Sequence, residues 1–355
     1  MITTEPKLVA ELDNFKIWLK KGIPKHIVDF LETARYGTDG AVYEHLMVAD
    51  RIQHMHDPHL AYATFDEDLV ACILLNRVTS RQQGERVDSY YIRYFNAHPK
   101  YKGQGITKKL SILFIEELRK HLPGKVLFYA AMEDGNGRSI NIVERVGFKK
   151  LAPFKTLGFS RFFPKKSNRI SRVVHREEEE QVIHHLESFY QNYSLVHFHN
   201  IFQKGQYYII KNQGEILAGV QMHKTIWRVA SMPGLSGKFL IYAVPHIPVL
   251  NKMIHPQHFE FITFEGIYYQ TGKEGVLLEL MEGLLAQEQL KTAILWLAES
   301  HPLYPFLIQK GQLGLIHQFV KDANAYLAVD DQYLTPEQQS KLKAGIPYIS
   351  TFDFI

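Results

Sequence analysis

A single cysteine in 355 residues, Cys72, leaves this chain unable to close an internal disulfide or to build a thiolate zinc site. Long apolar runs are also missing. The longest, such as Ala293 to Ala298, fall far short of the roughly 20 residues that span a bilayer. The first thirteen residues carry charges where a secretory leader needs an apolar stretch. A soluble protein of the reducing cytoplasm, with no membrane partner, is the expectation. Charge of one sign is scarce too: Lys+Arg 41 against Asp+Glu 37 leaves a formal +4, too little and too evenly spread to expect a nucleic-acid partner.

What the chain does have is apolar content, 46%, enough for a core in each of two ordinary domains. The spacing predicts a strand at Phe15 to Leu19, then a helix from Ile27 to Ala34. Leu60 to Phe65 and Leu69 to Val78 flank Asp66-Glu67-Asp68 as a hairpin, and Tyr90 to Ala97 adds a strand. Ile106, Leu110, Leu113, Phe114 and Leu118 mark one buried helix face, followed by a strand at Val126 to Met132. A second helix, Asn136 to Val146, stops at Gly147 and passes into a strand from Phe148. This order favours an α/β (α+β) fold, a mixed central sheet flanked by helices.

Pro164 to Arg169 is polar and opened by proline, which reads as a linker and divides the chain into domains 1–165 and 166–355. Beyond it the pattern recurs in the same order. Leu31-Glu32-Thr33 matches Leu186-Glu187-Ser188, Asp68 to Ala71 matches Glu215 to Ala218, Gly105-Ile106 matches Gly275-Val276, and Val126 to Ala131 matches Ala293 to Leu297. Two unrelated α/β domains sharing generic patterns is the competing explanation.

The chemistry concentrates between Ile92 and Leu110. There a strand runs through Lys102-Gly103-Gln104-Gly105 into a helix. Glycines let a diphosphate approach backbone amides that no Cβ screens, and a helix start adds unpaired N–H groups and partial positive charge. Ile106, Thr107 and Lys108 would supply those amides, with Lys102, Lys108 and Lys109 adding charge. Alone, a Gly-x-Gly before a helix is equally a structural turn.

With Ala97-His98-Pro99 before it, and Asn136, Ser139 and Gly147-Phe148 after it in order, this stretch resembles the GNAT family of acyl-CoA N-acyltransferases. The family signature is Gln/Arg-x-x-Gly-x-Gly/Ala after a strand, then an Asn after the next strand and a helix ending in Gly-Phe. The resemblance covers roughly the first 165 residues, one domain by length. It implies acetyl-CoA as co-substrate, held by Ala97, Lys102, Gly103, Gln104, Gly105, Ile106, Thr107, Lys108, Asn136 and Ser139. It also implies direct transfer of a short acyl group to a small-molecule or peptide amine. Glu133 is the candidate base, equally readable as a plain loop carboxylate, with Tyr94 and Asn96 orienting substrate or water. Lys102 and Thr107 depart from the signature. Val143 stands where many members carry the tyrosine that acts as general acid, so a non-catalytic acyl-CoA sensor is the alternative.

In the second half, Lys273 and Glu274 occupy the would-be glycine loop, which speaks against cofactor binding there and for a degenerate copy of the first domain. Tyr207-Tyr208 and Tyr268-Tyr269 read as strand-core residues or as the wall of an acceptor pocket. His54, His56, Asp57 and His59 fit no metal template.

Overall fold

The computed structural model describes residues 2–12, 14–37, 41–101, 106–121, 124–320 and 323–355. In the first half, β1 (Lys7–Leu12) and β2 (Phe15–Lys21) form a hairpin and lead to α1 (Lys25–Glu32), β3 (Val42–His45) and α2 (Val48–Gln53). The long hairpin β4 (Pro58–Phe65) and β5 (Asp68–Gln82) turns through Asp66 and Glu67, both at positive φ. Next come β6 (Glu85–Ala97), α3 (Ile106–His121), β7 (Val126–Glu133), α4 (Gly137–Arg145) and β8 (Lys149–Ser160). β7 is apolar on both faces because it lies inside the sheet with layers on either side. The end of α4 explains the Gly-Phe pair physically. Gly147 takes φ 95°, and the N–H groups of Gly147 and Phe148 close on the carbonyls of Glu144 and Val143 at 3.0 Å, which a Cβ-bearing residue would strain.

The second half repeats this plan. After β9 (Ile170–Arg172), α5 (Arg176–Phe189) starts on three glutamates, as a helix N-terminus favours. Then come β10 (Tyr193–Ser194), the hairpin β11 (Tyr207–Asn212) and β12 (Glu215–Ser231), α6 (Gly234–Tyr242), α7 (Pro248–Asn251) and β13 (Phe259–Tyr269). The chain continues through α8 (Glu274–Gln287), β14 (Thr292–Ala298), α9 (Leu303–Leu307), α10 (His317–Val320), β15 (Asn324–Asp330), α11 (Pro336–Ala344) and β16 (Ile346–Pro347). The four segments matched in sequence fall at corresponding places: α1 with α5, the two hairpins with each other, α3 with α8, and β7 with β14.

Among the described residues fourteen strands share one sheet, ordered β1-β2-β4-β5-β6-β7-β15-β8-β14-β13-β12-β11-β9, with β3 paired to the far end of β12. Its centre holds an exchange. β8, built from first-half sequence, pairs antiparallel with β14, while β15, from the second half, fills the gap between β7 and β8. Each half lends the other a strand, so neither leaves an edge at the join. Arg119 of α3 reinforces the exchange by donating to Asp330 of β15, a fully buried carboxylate. The sheet therefore runs unbroken across the sequence division at residue 165. Pro164 to Arg169 is irregular backbone, tied to α8 by bonds from Lys165 to Glu282 (2.9 Å) and from Ser167 and Arg169 to Glu279 (2.7 Å each).

Candidate active site

Parallel pairing of β6 with β7 runs from Asp88 with Val126 to Tyr91 with Tyr129 and then stops, although both strands continue. A bulge turns β6 away: Tyr94 and Phe95 stand opposite the single residue Ile73, and Tyr94 takes φ 50°. An extra residue on one strand increases local twist and re-aims the strand beyond it. The two strands therefore splay, and the opening leads into a cavity of about 630 Å³. α3 and α4 wall it on one face through Ile115, Ser139, Ile142 and Val143. On the other face Tyr43, Trp227, Leu240 and Trp296 close it.

Of the residues singled out in the sequence, Glu133, Tyr94, Asn136 and Ser139 line this cavity together. Glu133 ends β7, and burial raises its carboxyl above the ordinary range, opposed by a hydrogen bond from Tyr43. The Tyr94 hydroxyl is committed, accepting from Arg93 Nη2 at 2.7 Å and donating to the Ile355 main-chain oxygen at 3.4 Å. Asn136 caps α4, its side-chain oxygen accepting from the Ser139 N–H at 3.1 Å. Val143 sits one turn beyond Ser139 on the cavity wall, so the usual tyrosine position faces the site but carries no hydroxyl.

Asn96 and Ala97 are not brought to the cavity. The Asn96 side chain folds back to accept from the Ala97 N–H at 2.9 Å, which occupies both groups, and Ala97 packs in the core beside Tyr101 and Phe114. Lys102, Gly103, Gln104 and Gly105 lie outside the described residues. Ile106, Thr107 and Lys108 form the first turn of α3, as the sequence predicts for the residues after the glycine pair.

Five lining residues carry no sequence signal that marks them for the site: Tyr36, Tyr43, His45, Arg93 and Asp353. β3 is four residues long, and its aromatic side chains are set by pairing with β12, some 180 positions away. Tyr43 and His45 stack on Trp227 at 4.6 and 5.2 Å between ring centroids. Burial, and then the charges of Arg93 and Arg51, push His45 down to about 3, so it is a neutral imidazole. Arg93 donates through Nη1 to the Phe352 carbonyl at 3.1 Å and through Nη2 to the Ile355 main-chain oxygen at 2.6 Å, holding the last residues against β6. Burial lifts the Asp353 carboxyl up to about 8 against the pull of Arg93, with Asn76 and Tyr129 favouring its charged form. Among the described residues no group of three or more His, Cys, Asp or Glu side chains could hold a metal ion. His56 and His199 stack at 3.8 Å, a contact between halves.

The second half has the same splay. β13 and β14 pair only at Ile262 with Ala293 and Thr263 with Ile294, and β13 then bulges at Gly266 and Ile267 opposite Val220, with Gly266 at φ 54°. By this register Glu265 corresponds to Arg93. Here the opening is plugged. Tyr348, Pro347 and Ile349 occupy it, Tyr348 accepts from the Gly266 N–H at 3.2 Å, and only about 20 Å³ remains. Glu265 accepts from Ser350 Oγ at 2.8 Å, His223 Nε2 at 3.2 Å and the Phe352 N–H at 3.2 Å. Burial would raise this carboxyl, but His223 and Ser350 outweigh it and hold Glu265 below its ordinary value.

The pattern of the acetyltransferase (GNAT) family matches residues 27–148, from α1 through the Gly-Phe end of α4. No curated protein matches the chain by sequence. In fold it is similar to N-myristoyltransferase of Saccharomyces cerevisiae with bound myristoyl-CoA, at TM-score 0.59 and 11% identity over 97% of this chain and 91% of that one. A structure of the same enzyme with bound myristoyl-CoA and inhibitors gives TM-score 0.59 and 10% identity, over 97% and 88%. A GCN5-related N-acetyltransferase from Anabaena variabilis lies further off, at TM-score 0.47 and 10% identity over 88% and 72%. The first and second of these likenesses are of fold alone, and they run almost the full length of both chains. Residues 27–148 thus carry the acetyltransferase (GNAT) family pattern, and the chain as a whole shares the fold of the N-myristoyltransferase structures.

Proposed function

We propose that the protein transfers an acetyl or other short acyl group from acyl-CoA to an amine by direct attack, using the first-half cleft. The observation that carries this reading is the β6 and β7 splay, which opens between α3 and α4 on one side and the half-buried Glu133 on the other. A helix N-terminus such as the start of α3 presents main-chain N–H groups that suit a diphosphate. The splayed β6 main chain, no longer bonded to β7 beyond Tyr91, leaves donors for a developing oxyanion. Glu133 takes the proton of the attacking nitrogen as the new C–N bond forms and the C–S bond breaks, and the departing sulfur is protonated by water. A carboxyl raised by burial is a stronger base near neutral pH than an exposed one, which suits this role.

Val143 favours a second reading, a protein that holds acyl-CoA without turnover, because position 143 on the cavity wall carries no hydroxyl to protonate the sulfur. Release of free thiol from acetyl-CoA across a panel of amines separates the two: a saturated protein that is inert throughout is a sensor. If turnover is seen, Glu133→Gln should lower it by about 10²- to 10⁴-fold and remove the fall in rate at acidic pH that protonation of this carboxyl causes. An unchanged pH profile removes Glu133 from the mechanism.

A further inference from the structure

The cavity is larger than an acetyl group requires. Its volume of about 630 Å³ lies within the roughly 300–1,000 Å³ that encloses a whole small ligand. Its lining draws on both halves of the chain and on both polar and apolar side chains. Around the splay the polar groups gather: Glu133, the Tyr36 hydroxyl, both ring nitrogens of His45 and Asp353. Tyr36 and His45 make no hydrogen bond through these atoms, and one oxygen of Asp353 is likewise free while its carboxyl also interacts with Asn76 and Tyr129. Tyr36 Oη, His45 Nδ1 and Nε2 and Asp353 Oδ1 are buried with no hydrogen-bond partner, and Trp227 Nε1 beside them is in the same state. Buried polar atoms are nearly always satisfied in native structures. Several orphans on residues that line one cavity suit a ligand that supplies both donors and acceptors once the lining adjusts to it. The second half contributes an apolar group to the same lining, Leu240, Ile254, Phe259, Ile294 and Trp296, with Phe319, all in one hydrophobic cluster.

Resting on the acyl-transfer reading above, we propose that the acceptor is an amphipathic primary amine, its nitrogen end held among Glu133, Asp353 and the orphaned groups and its apolar body in the second-half chamber. The donor enters on the α3 and α4 side, so its acyl carbon meets the amine at the splay and the chamber beyond is left for the acceptor. Glu133 suits a nitrogen that arrives as a cation and must lose a proton before it can attack, while Asp353, lifted to about 8, stands beside Arg93 as a neutral acid able to donate a hydrogen bond. An anionic head would be repelled by Glu133.

The test is a titration of the full-length protein, with and without saturating acetyl-CoA, by butylamine, hexylamine and octylamine, read by calorimetry and by fluorescence. Two of the three tryptophans, Trp227 and Trp296, line the chamber and report directly. Affinity should rise about fourfold per methylene, roughly a hundredfold or more from butyl to octyl, while octanoate, with the same tail and an anionic head, should not bind. Leu240→Phe and Ile254→Phe, which fill the chamber, should each cancel the chain-length gain and leave acetyl-CoA affinity unchanged, which also shows that the variants fold. Amine affinity that is flat with chain length overturns the proposal. So does a gain that tracks the acyl chain instead, with octanoyl-CoA bound far more tightly than acetyl-CoA and Leu240→Phe abolishing the difference. Failure of acetyl-CoA itself to bind defeats the acyl-transfer reading, whereas the amine series, run without it, still decides the chamber.

Discussion

Two splayed strand pairs, one in each half, begin from the same backbone device and end as opposites. Both come after a parallel pair that stops early, and both bulge two residues against one, at Tyr94-Phe95 and at Gly266-Ile267. The first opens on about 630 Å³ and the second keeps about 20 Å³. The difference is made by the last ten residues, which run between the two clefts and are gripped from both sides. Arg93 takes the Phe352 carbonyl, and Glu265, its counterpart by register, takes the Phe352 N–H. One half has kept its opening and the other has given its own up to anchor the chain. The same strand device can thus be left open in one half and filled in the other without changing its strands.

The largest effect should come from breaking that anchor. Glu265→Ala removes a fully buried acceptor and strands the donors of His223, Ser350 and Phe352, so unfolding in urea should show a loss of about 3–5 kcal/mol. A smaller loss, about 2–4 kcal/mol, is expected for Tyr348→Ala, which empties the second cleft by one aromatic side chain. That variant sharpens the comparison: it reopens the second splay, yet acetyl-CoA stoichiometry should not rise, because Lys273 and Glu274 stand where the glycine loop would be. A second bound equivalent would mean that plugging alone had silenced this half.

A gentler probe is Asp353→Asn. The folded-state carboxyl lies at about 8, against an ordinary 3.8. Between those values the folded chain keeps a proton that the unfolded chain has lost. The contribution is therefore complete at low pH and declines as pH rises toward the folded value, by at most about 1.4 kcal/mol per unit. The asparagine variant does not titrate, so its stability relative to the wild type should climb from about pH 5 to about pH 8. A constant difference, measured by urea unfolding at each pH, contradicts the burial assigned to this group.

Much of this architecture was legible in the sequence because it rests on local rules. Apolar runs marked β7 and β14, helical spacing marked α3 and α8, and Asn136 with Gly147 marked the two ends of α4 through capping chemistry that acts within a few residues. The exchange of β8 and β15 was not legible, since pairing partners far apart in sequence are chosen by packing and both strands fit either neighbour by composition. The same holds for the site. Glu133, Tyr94, Asn136 and Ser139 are reached from motif position, whereas Asp353, Tyr43 and His45 reach the cavity only through contacts between the halves. Asn96 shows the converse: a side chain well placed by strand alternation turned to its own backbone instead.

If acyl-CoA is held by the first half alone, isothermal titration of the full-length protein with acetyl-CoA should find one site per chain, lost in Gly105→Trp and retained in Gly275→Trp. Two sites, or a site lost only with the second-half substitution, would contradict that division of labour.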